Sequence, residues 1–552
     1  MKPAAPERAV APRAEDPSGA PAAPQPARRR LLLRGTVITT AAVGLGTVLG
    51  LARDLLIAGL YGANGQTDAF LVAWTLPETA VPLLIDGAMT LLMVPIFSRA
   101  LRERDERRTA PGVPGDPVAA AVAATLPQLT VALVVVAALV AATARWLVTA
   151  LAPGLADPTL GVAAMRTIAV SVVFVGVAGY LVAALRSHLV YGPPAMITVA
   201  MNVGIIGVMV VGSRQLGVLA AVFGAVLGSA LMVAVQAPAF LRRVGLPRRA
   251  IRGGGVALGA FVPIAAYILA RQGQVFVERF VASWLAPGTI SHLNYVQKIA
   301  QVPATLALTL AVVTFPQLAR QVVAGRAREA HRRTVLDVQI IGAIVLAATA
   351  YLAAFAPEVV GVLFERGAFT AADTAATASM LRIYVWGLLG QALLDIVCRS
   401  LFSERATRVP AVAMVLGVLA TAVLAVLGAP VWGAAAIAAA NAIGITATAA
   451  VVICSRRSMV IPARAVGLAV ARLLPATALA AVFACWLEAR LRGLPAAASV
   501  GAGVLAVAAV FGLVALLCGA LPGPPARTLL PTLFRRRAGR STPSQERAGH
   551  DV

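Results

Sequence analysis

Only 13% of the 552 residues carry a charge, aromatic side chains make up 5%, and there are four cysteines and four histidines. Each shortage excludes something. Cys398, Cys454, Cys485 and Cys518 stand far apart with no CxxC pair, which removes a zinc-binding or dithiol redox motif and leaves them as small apolar packing residues. His188, His292, His331 and His550 form no cluster with metal-ligand spacing. No GxxxxGKS/T loop is present, so ATP hydrolysis within this chain is not expected. With no catalytic constellation in view, an enzyme is not expected, and no cofactor is implied beyond a possible coupling cation.

What the sequence has in excess is apolar length. Hydrophobic residues reach 59% and the mean hydropathy is +0.86, too much for a water-soluble interior of this size to hide. The apolar runs exceed the ~20 residues that cross a ~30 Å hydrocarbon layer. They are continuous rather than alternating, which excludes a transmembrane barrel. The expected fold class is therefore an all-α polytopic membrane protein. About fourteen spans are expected, near 34–60, 67–98, 116–151, 160–186, 192–213, 216–240, 254–285, 290–319, 335–364, 371–402, 409–428, 431–454, 465–488 and 497–521.

The chain repeats itself. Val81-Pro82, Pro95 and Arg99 return at the same spacing as Val302-Pro303, Pro316 and Arg320, and Arg186-Ser187 with Pro194 is echoed by Arg399-Ser400 with Pro410. Two homologous halves with interrupted hydrophobic helices are a mark of membrane transporters, whose substrate site lies where the halves meet. The expected division is a basic cytoplasmic tail over 1–32, an N-terminal lobe over 33–241, a C-terminal lobe over 242–455, two further helices within 456–521, and a second basic tail over 522–552. Both tails are polar, basic and expected to be disordered.

The formal net charge of +24 suggests nucleic acid until its distribution is read. With the N-terminus in the cytoplasm, Arg28 to Arg30, Arg102 to Arg108, Arg242 to Arg249, Arg326 to Arg333, Arg405 with Arg408, Arg456 with Arg457 and Arg535 to Arg537 all fall on one side. The opposite loops keep little more than Arg214, Arg366, Arg490 and Arg492. That is the positive-inside pattern of a multi-pass protein with both termini cytoplasmic, and no nucleic-acid partner is expected.

Charges inside apolar spans are costly, so they face a protein interior or a watery cavity. The candidates are Arg53-Asp54, Asp68, Glu78, Asp86, Glu278-Arg279, Lys298, Asp395 and Arg399. Adjacent pairs such as Arg53-Asp54 and Glu278-Arg279 can neutralise each other, and Arg399, near a helix end, can snorkel to the interface. Lys298 and Asp86 have no opposite charge within one turn, and both lie in the duplicated helices. Pro77, Pro82 and Pro303 interrupt the helical hydrogen-bond ladder, and such kinks concentrate where a helix lines a cavity or hinges.

These same residues carry a family resemblance. Arg53-Asp54 through Tyr61-Gly62-Ala63, Thr67-Asp68-Ala69-Phe70, Leu76-Pro77, Asp86-Gly87-Ala88, Gly288-Thr289-Ile290-Ser291, Asn294-Tyr295 with Pro303, and Phe364 to Thr370 resemble motifs of the MurJ/MviN family, across residues 35 to 520. The resemblance implies two six-helix lobes in a V, two C-terminal helices forming a groove for a lipid tail, and alternating access without ATP. It implies a bacterial cytoplasmic-membrane flippase for a polyprenyl-diphosphate-linked glycan, lipid II by default. Lys298, Arg53, Glu278, Arg279 and Arg399 would be the cavity residues. Asp54, Asp68, Glu78, Asp86 and Asp395 would serve gating or ion coupling, with Pro77, Pro82 and Pro303 as hinges. The sequence departs from the family pattern where it has Thr47 and Val81 in place of basic residues, and Lys298 where an arginine is usual. Those departures keep two other readings open: an exporter of another lipid-linked polysaccharide or of drugs, and a non-transporting scaffold for cell-wall synthesis proteins.

The basic-residue pattern predicts that single cysteines in a cysteine-free background are modified from outside at Ala368 and not at Ala110. The reverse labelling would overturn the orientation.

Overall fold

The structure, a computed structural model, describes residues 26–109, 116–245, 262–323, 326–403, 408–455 and 462–521. Among those residues the regular secondary structure is all helical. In the first half the helices are α1 (Pro26–Tyr61), α2 (Gly65–Ala80), α3 (Thr90–Thr109), α4 (Pro117–Leu151), α5 (Pro158–Ser187), the short α6 (Gly192–Ala195), α7 (Ile197–Leu216) and α8 (Leu219–Arg243). The second half contributes α9 (Val262–Ala282), α10 (Thr289–Val323), α11 (Ala327–Ala354), α12 (Ala356–Phe364), α13 (Ala371–Tyr384), α14 (Leu388–Ser403), α15 (Arg408–Trp432) and α16 (Ala434–Cys454). Two more helices follow, α17 (Ala463–Leu491) and α18 (Ala496–Leu517).

Twelve helical stretches among the described residues are long and apolar enough to cross a membrane. The expected spans near 254–285 and 290–319 correspond to α9 and α10, which do not add to those twelve. Arg271, Glu278 and Arg279 crowd the 21 residues of α9, so its polar content tracks its place at the middle of the molecule. The first helix begins at Pro26, ahead of the expected start near residue 34. Residues 1–25 and 522–552 of the expected tails lie outside the described residues.

Packing explains which faces are apolar. In α5, 78% of the most apolar window is buried, because α5 contacts α2, α3, α4 and α8. By contrast, α4 and α18 leave Val131, Val135, Leu139, Leu505, Leu513 and Leu517 exposed, the surface that lipid tails would cover. The second half mirrors this economy, with α16 packed on α14 and α15, and α11 carrying α17 and α18 on its flank.

Two features of the long second span deserve a physical account because they place the site. Helix α2 runs into a π-helical stretch, Val81–Met89, before continuing as α3. Pro82 has no N–H to give the carbonyl of Glu78, four residues back. Gln272 of α9 donates its Nε2 to that carbonyl instead, at 3.2 Å. The kink thus becomes a contact between the halves.

Small residues allow α7 and α8 to cross closely. A Cβ on Gly224 of α8 would sit 2.9 Å from Cα of Ile205 on α7, closer than packed backbones tolerate. Gly224→Val is expected to destabilise the α7–α8 pair by about 1–3 kcal/mol. The check is a lowered unfolding temperature of the detergent-solubilised protein; an unchanged transition would contradict that packing.

Candidate functional site: a sealed end and a charged cavity

At one end of the molecule four loops converge. Asn64 caps α2 by accepting from the N–H groups of Gln66 and Thr67. That fixes the direction of α2 and points Asp68, in its first turn, toward the other half. Asp68 is 4% exposed, and its carboxylate accepts from Gly288 N at 2.7 Å, Ser291 N at 2.8 Å and Ser291 Oγ at 2.6 Å. A carboxylate of the first half therefore caps the N-terminus of α10, a helix of the second. Gly288, at φ +94°, supplies the left-handed turn that aims its N–H at Asp68.

Neighbouring contacts close the same end. Ala368 N donates to Gly59 O at 2.8 Å, Gly154 N to Ser283 Oγ at 3.1 Å, and Tyr295 OH to Gly62 O at 3.3 Å. Tyr295, Phe364 and Phe369 stack into one aromatic plug, with centroids 4.9 to 5.9 Å apart. His292 joins the plug, with Nδ1 2.9 Å from Thr377 Oγ1 and Nε2 3.6 Å from Asp373.

Below the seal lies a polar cavity of about 300 Å³, lined by Glu78, Arg271, Gln272, Glu278, Gln297, Lys298, Tyr384, Gln391, Asp395 and Asn441 among others. The expected neutral pairs sort differently here. Arg53 and Asp54 do pair, at 2.7 Å; Arg53 also donates to Asn202 Oδ1 at 3.2 Å and lies 4.8 Å over the Trp74 ring. Glu278 and Arg279 do not neutralise each other. Arg279 reaches across to Glu78, Nη2 to Oε2 at 2.7 Å, and also donates to Thr75. Glu278 is instead held by the amides of Gln297 and Asn441. Lys298, which has no opposite charge within one turn of its own helix, lies 3.7 Å from the other oxygen of Glu78. Asp86 is exposed on the π-helical stretch. Asp395 pairs with Arg271 at 3.4 Å. The side chain of Arg399 lies outside the described residues.

Pro77 and Pro82 flank the start of the π-helical stretch, and Pro303 sits in an uninterrupted α10. Pro303 lines a second cavity, an apolar groove of about 720 Å³ formed with Val302, Leu306, Ile340, Tyr351, Val504, Phe511 and Leu521. Lys298 borders both the polar cavity and this groove. Sequence reasoning passed over the amides Asn202, Gln272, Gln297, Gln391 and Asn441. A helical stripe did mark the cavity face of α9, since Arg271, Gln274, Val275 and Glu278 stand at i, i+3, i+4 and i+7 and all line the cavity, but none of the five amides lies on it. Thr47, where a cation was lacking, donates its hydroxyl to Val43 O of its own helix at 3.0 Å.

Similar folds place this arrangement in a class. A solved lipid II flippase MurJ in an inward closed conformation aligns at a TM-score of 0.71, with 17% identity over 88% of this chain and 98% of that one. An inward-facing multidrug resistance transporter of the MATE family aligns at 0.63, with 12% identity over 75% and 95%. The chain shares the fold of these two solved membrane transporters.

The family is narrower. The model for "Lipid II flippase MurJ" matches residues 57–500, and the chain belongs to that family. The lipid II flippase MurJ of Burkholderia cenocepacia is 29% identical over 405 residues, covering 70% of this chain and 76% of that protein. The probable lipid II flippase MurJ of Haemophilus influenzae is 27% identical over 393 residues, covering 66% and 75%.

Removing the charge of Asp68 tests the seal. Asp68→Asn is expected to weaken the cap by about 1–3 kcal/mol and to open that end part of the time. A cysteine at Ser283, buried in the seal, should then react faster with a membrane-impermeant maleimide; an unchanged rate would show that the cap does not hold the end closed.

Proposed function

We propose that this protein flips a polyprenyl-diphosphate-linked glycan, lipid II being the family's own cargo, across the bacterial cytoplasmic membrane by alternating access. One observation carries the reading: Lys298 stands at the junction of the polar cavity and the apolar groove. A lipid-linked glycan has the same layout, a polar head, a long apolar tail, and a diphosphate where they join. The head would occupy the cavity, the tail would lie along α10, α11 and α18, and the ammonium of Lys298 would meet the diphosphate as a point charge. The groove's lining by α18 supports the last of the two C-terminal helices as part of a lipid-tail element beside the lobes.

In this orientation both termini and the loop after α3 face the cytoplasm, and the sealed end faces outward. The cavity is then reached from the side on which lipid-linked precursors are made. The Asp68 cap and the aromatic plug would form the outer gate, and Pro77 and Pro82 the bend in α2 that moves when it opens. Dependence on membrane potential or a coupling cation supplies the driving force in place of ATP. The drug-exporter reading has no comparable support, since the cavity is rich in charges and amides and its apolar surface lies in a separate groove.

Conditional depletion of a host's own lipid II flippase, with rescue by this chain, tests the function; rescue with restored exposure of lipid II on the outer leaflet is expected. In the same assay Lys298→Ala should abolish rescue at normal expression and unfolding temperature, and Lys298→Arg should keep or improve it. Full rescue by Lys298→Ala would remove the diphosphate from that junction.

A further inference from the structure

Glu78 is an unusual acid. It lies on α2, yet its two carboxylate oxygens are taken by two cations of the other half, Oε2 by Arg279 at 2.7 Å and Oε1 by Lys298 at 3.7 Å. Its backbone carbonyl is taken by Gln272 of the same half. The side chain of Arg279 is 4% exposed, and those of Glu78 and Lys298 about one-fifth exposed, so the cluster opens onto the cavity and is largely shielded from solvent. Two cations converging on the two oxygens of one anion is also the arrangement that receives a phosphate group. Arg279 brings the planar fork that Lys298 lacks, and it reaches the cavity through Glu78, which lines it together with Lys298.

We propose that Glu78 is a tethered anion that occupies the Arg279–Lys298 receptor while the transporter is empty, and that the diphosphate of the cargo displaces it. This rests on the flippase reading above and deepens it. In the empty cavity each of the two cations keeps a carboxylate oxygen as partner, which buried charges require. A diphosphate carries more charge than a carboxylate and bonds both cations at once, so it competes successfully. Displacement cuts the charged contact between α2 and the second half, so cargo binding and loosening of the halves become one event. An α2 freed at the Glu78 carboxylate keeps, among its contacts with the second half, the Asp68 cap at the sealed end and the Gln272 bond to its backbone carbonyl. Binding thereby biases the transporter toward opening without any contact between cargo and gate.

The test uses the full-length chain in detergent with geranyl diphosphate as probe and geraniol as the phosphate-free control. Glu78→Gln keeps the shape and removes the competing charge. It is expected to bind geranyl diphosphate about tenfold more tightly than the unmodified chain, with geraniol unaffected. Glu78→Asp keeps the charge and should bind no more tightly than the unmodified chain. Without any ligand, spin labels at Leu91 and Leu306 should report a longer or broader distance in Glu78→Gln. Equal or weaker binding by Glu78→Gln, tightening by Glu78→Asp, no binding by any variant, or an unchanged label distance would each overturn the proposal. None of those results decides the flippase reading, which stands or falls on rescue of the depleted host.

Discussion

The interaction on which the rest of the molecule depends is a helix cap supplied by the wrong half. The first N–H groups of a helix have no partner within it and carry a partial positive charge. For α10 those groups, at Gly288 and Ser291, are satisfied by Asp68 from α2. Leaving a buried donor unsatisfied costs about 1–3 kcal/mol, so α10 is registered against α2 at this point. Everything below inherits that register. Lys298 lies seven residues into α10 from Ser291, about 10 Å along its axis, and Glu78 lies ten residues down α2 from Asp68, about 15 Å. The cap therefore sets which side chains of the two helices can meet inside the cavity.

Proline then turns an obligation of backbone chemistry into a second inter-half contact. In a water-poor interior, the carbonyl that Pro82 leaves free must find a donor. The Nε2 of Gln272 provides it at 3.2 Å, one residue from the Arg271–Asp395 pair and on the same helix as Arg279. The π-helical stretch that follows widens the turn and carries Asp86 away from the α10 face that holds Lys298. A uniform α-helix through this region would place the acids of α2 differently against α9 and α10. The kink is thus part of the geometry of the charge cluster as well as a place to bend.

Much of this was legible in the sequence, for reasons that can be named. Span positions follow from apolar length, which the bilayer dictates. Lys298, Asp68, Glu78 and the prolines stand out because charges and broken ladders are expensive in lipid. What could not be read was who meets whom. Glu278 and Arg279 are neighbours in sequence, but successive residues on a helix point about 100° apart, so Arg279 reaches Glu78 while Glu278 turns to Gln297 and Asn441. The partner of Lys298 is 220 residues away on another helix, a separation that no local pattern encodes. The amides were invisible for a different reason: neutral side chains do not interrupt a hydropathy profile. The stripe along α9 marked a cavity face, but none of these amides lies on it.

The charges that cross between the halves have a consistent direction. Arg53 is held by Asp54, one residue on, and by Asn202 and Trp74, all of the first half, so its charge is settled before the second half arrives. What the first half offers across the divide is carboxylate: Asp68 at the sealed end and Glu78 in the cavity. What the second half offers is donors: the amide N–H groups of α10, the guanidinium of Arg279 and the ammonium of Lys298. Such an interface is cohesive when empty, because each acid has a donor opposite it, and it is vulnerable to one class of competitor. An anion entering the cavity can take the place of the Glu78 carboxylate, whereas a cation finds its acids already engaged by the second half. If Glu78 is displaced as proposed, the polarity of the interface selects the sign of the cargo that can part the halves, through residues that the repeat, the spans and the basic loops leave unexplained.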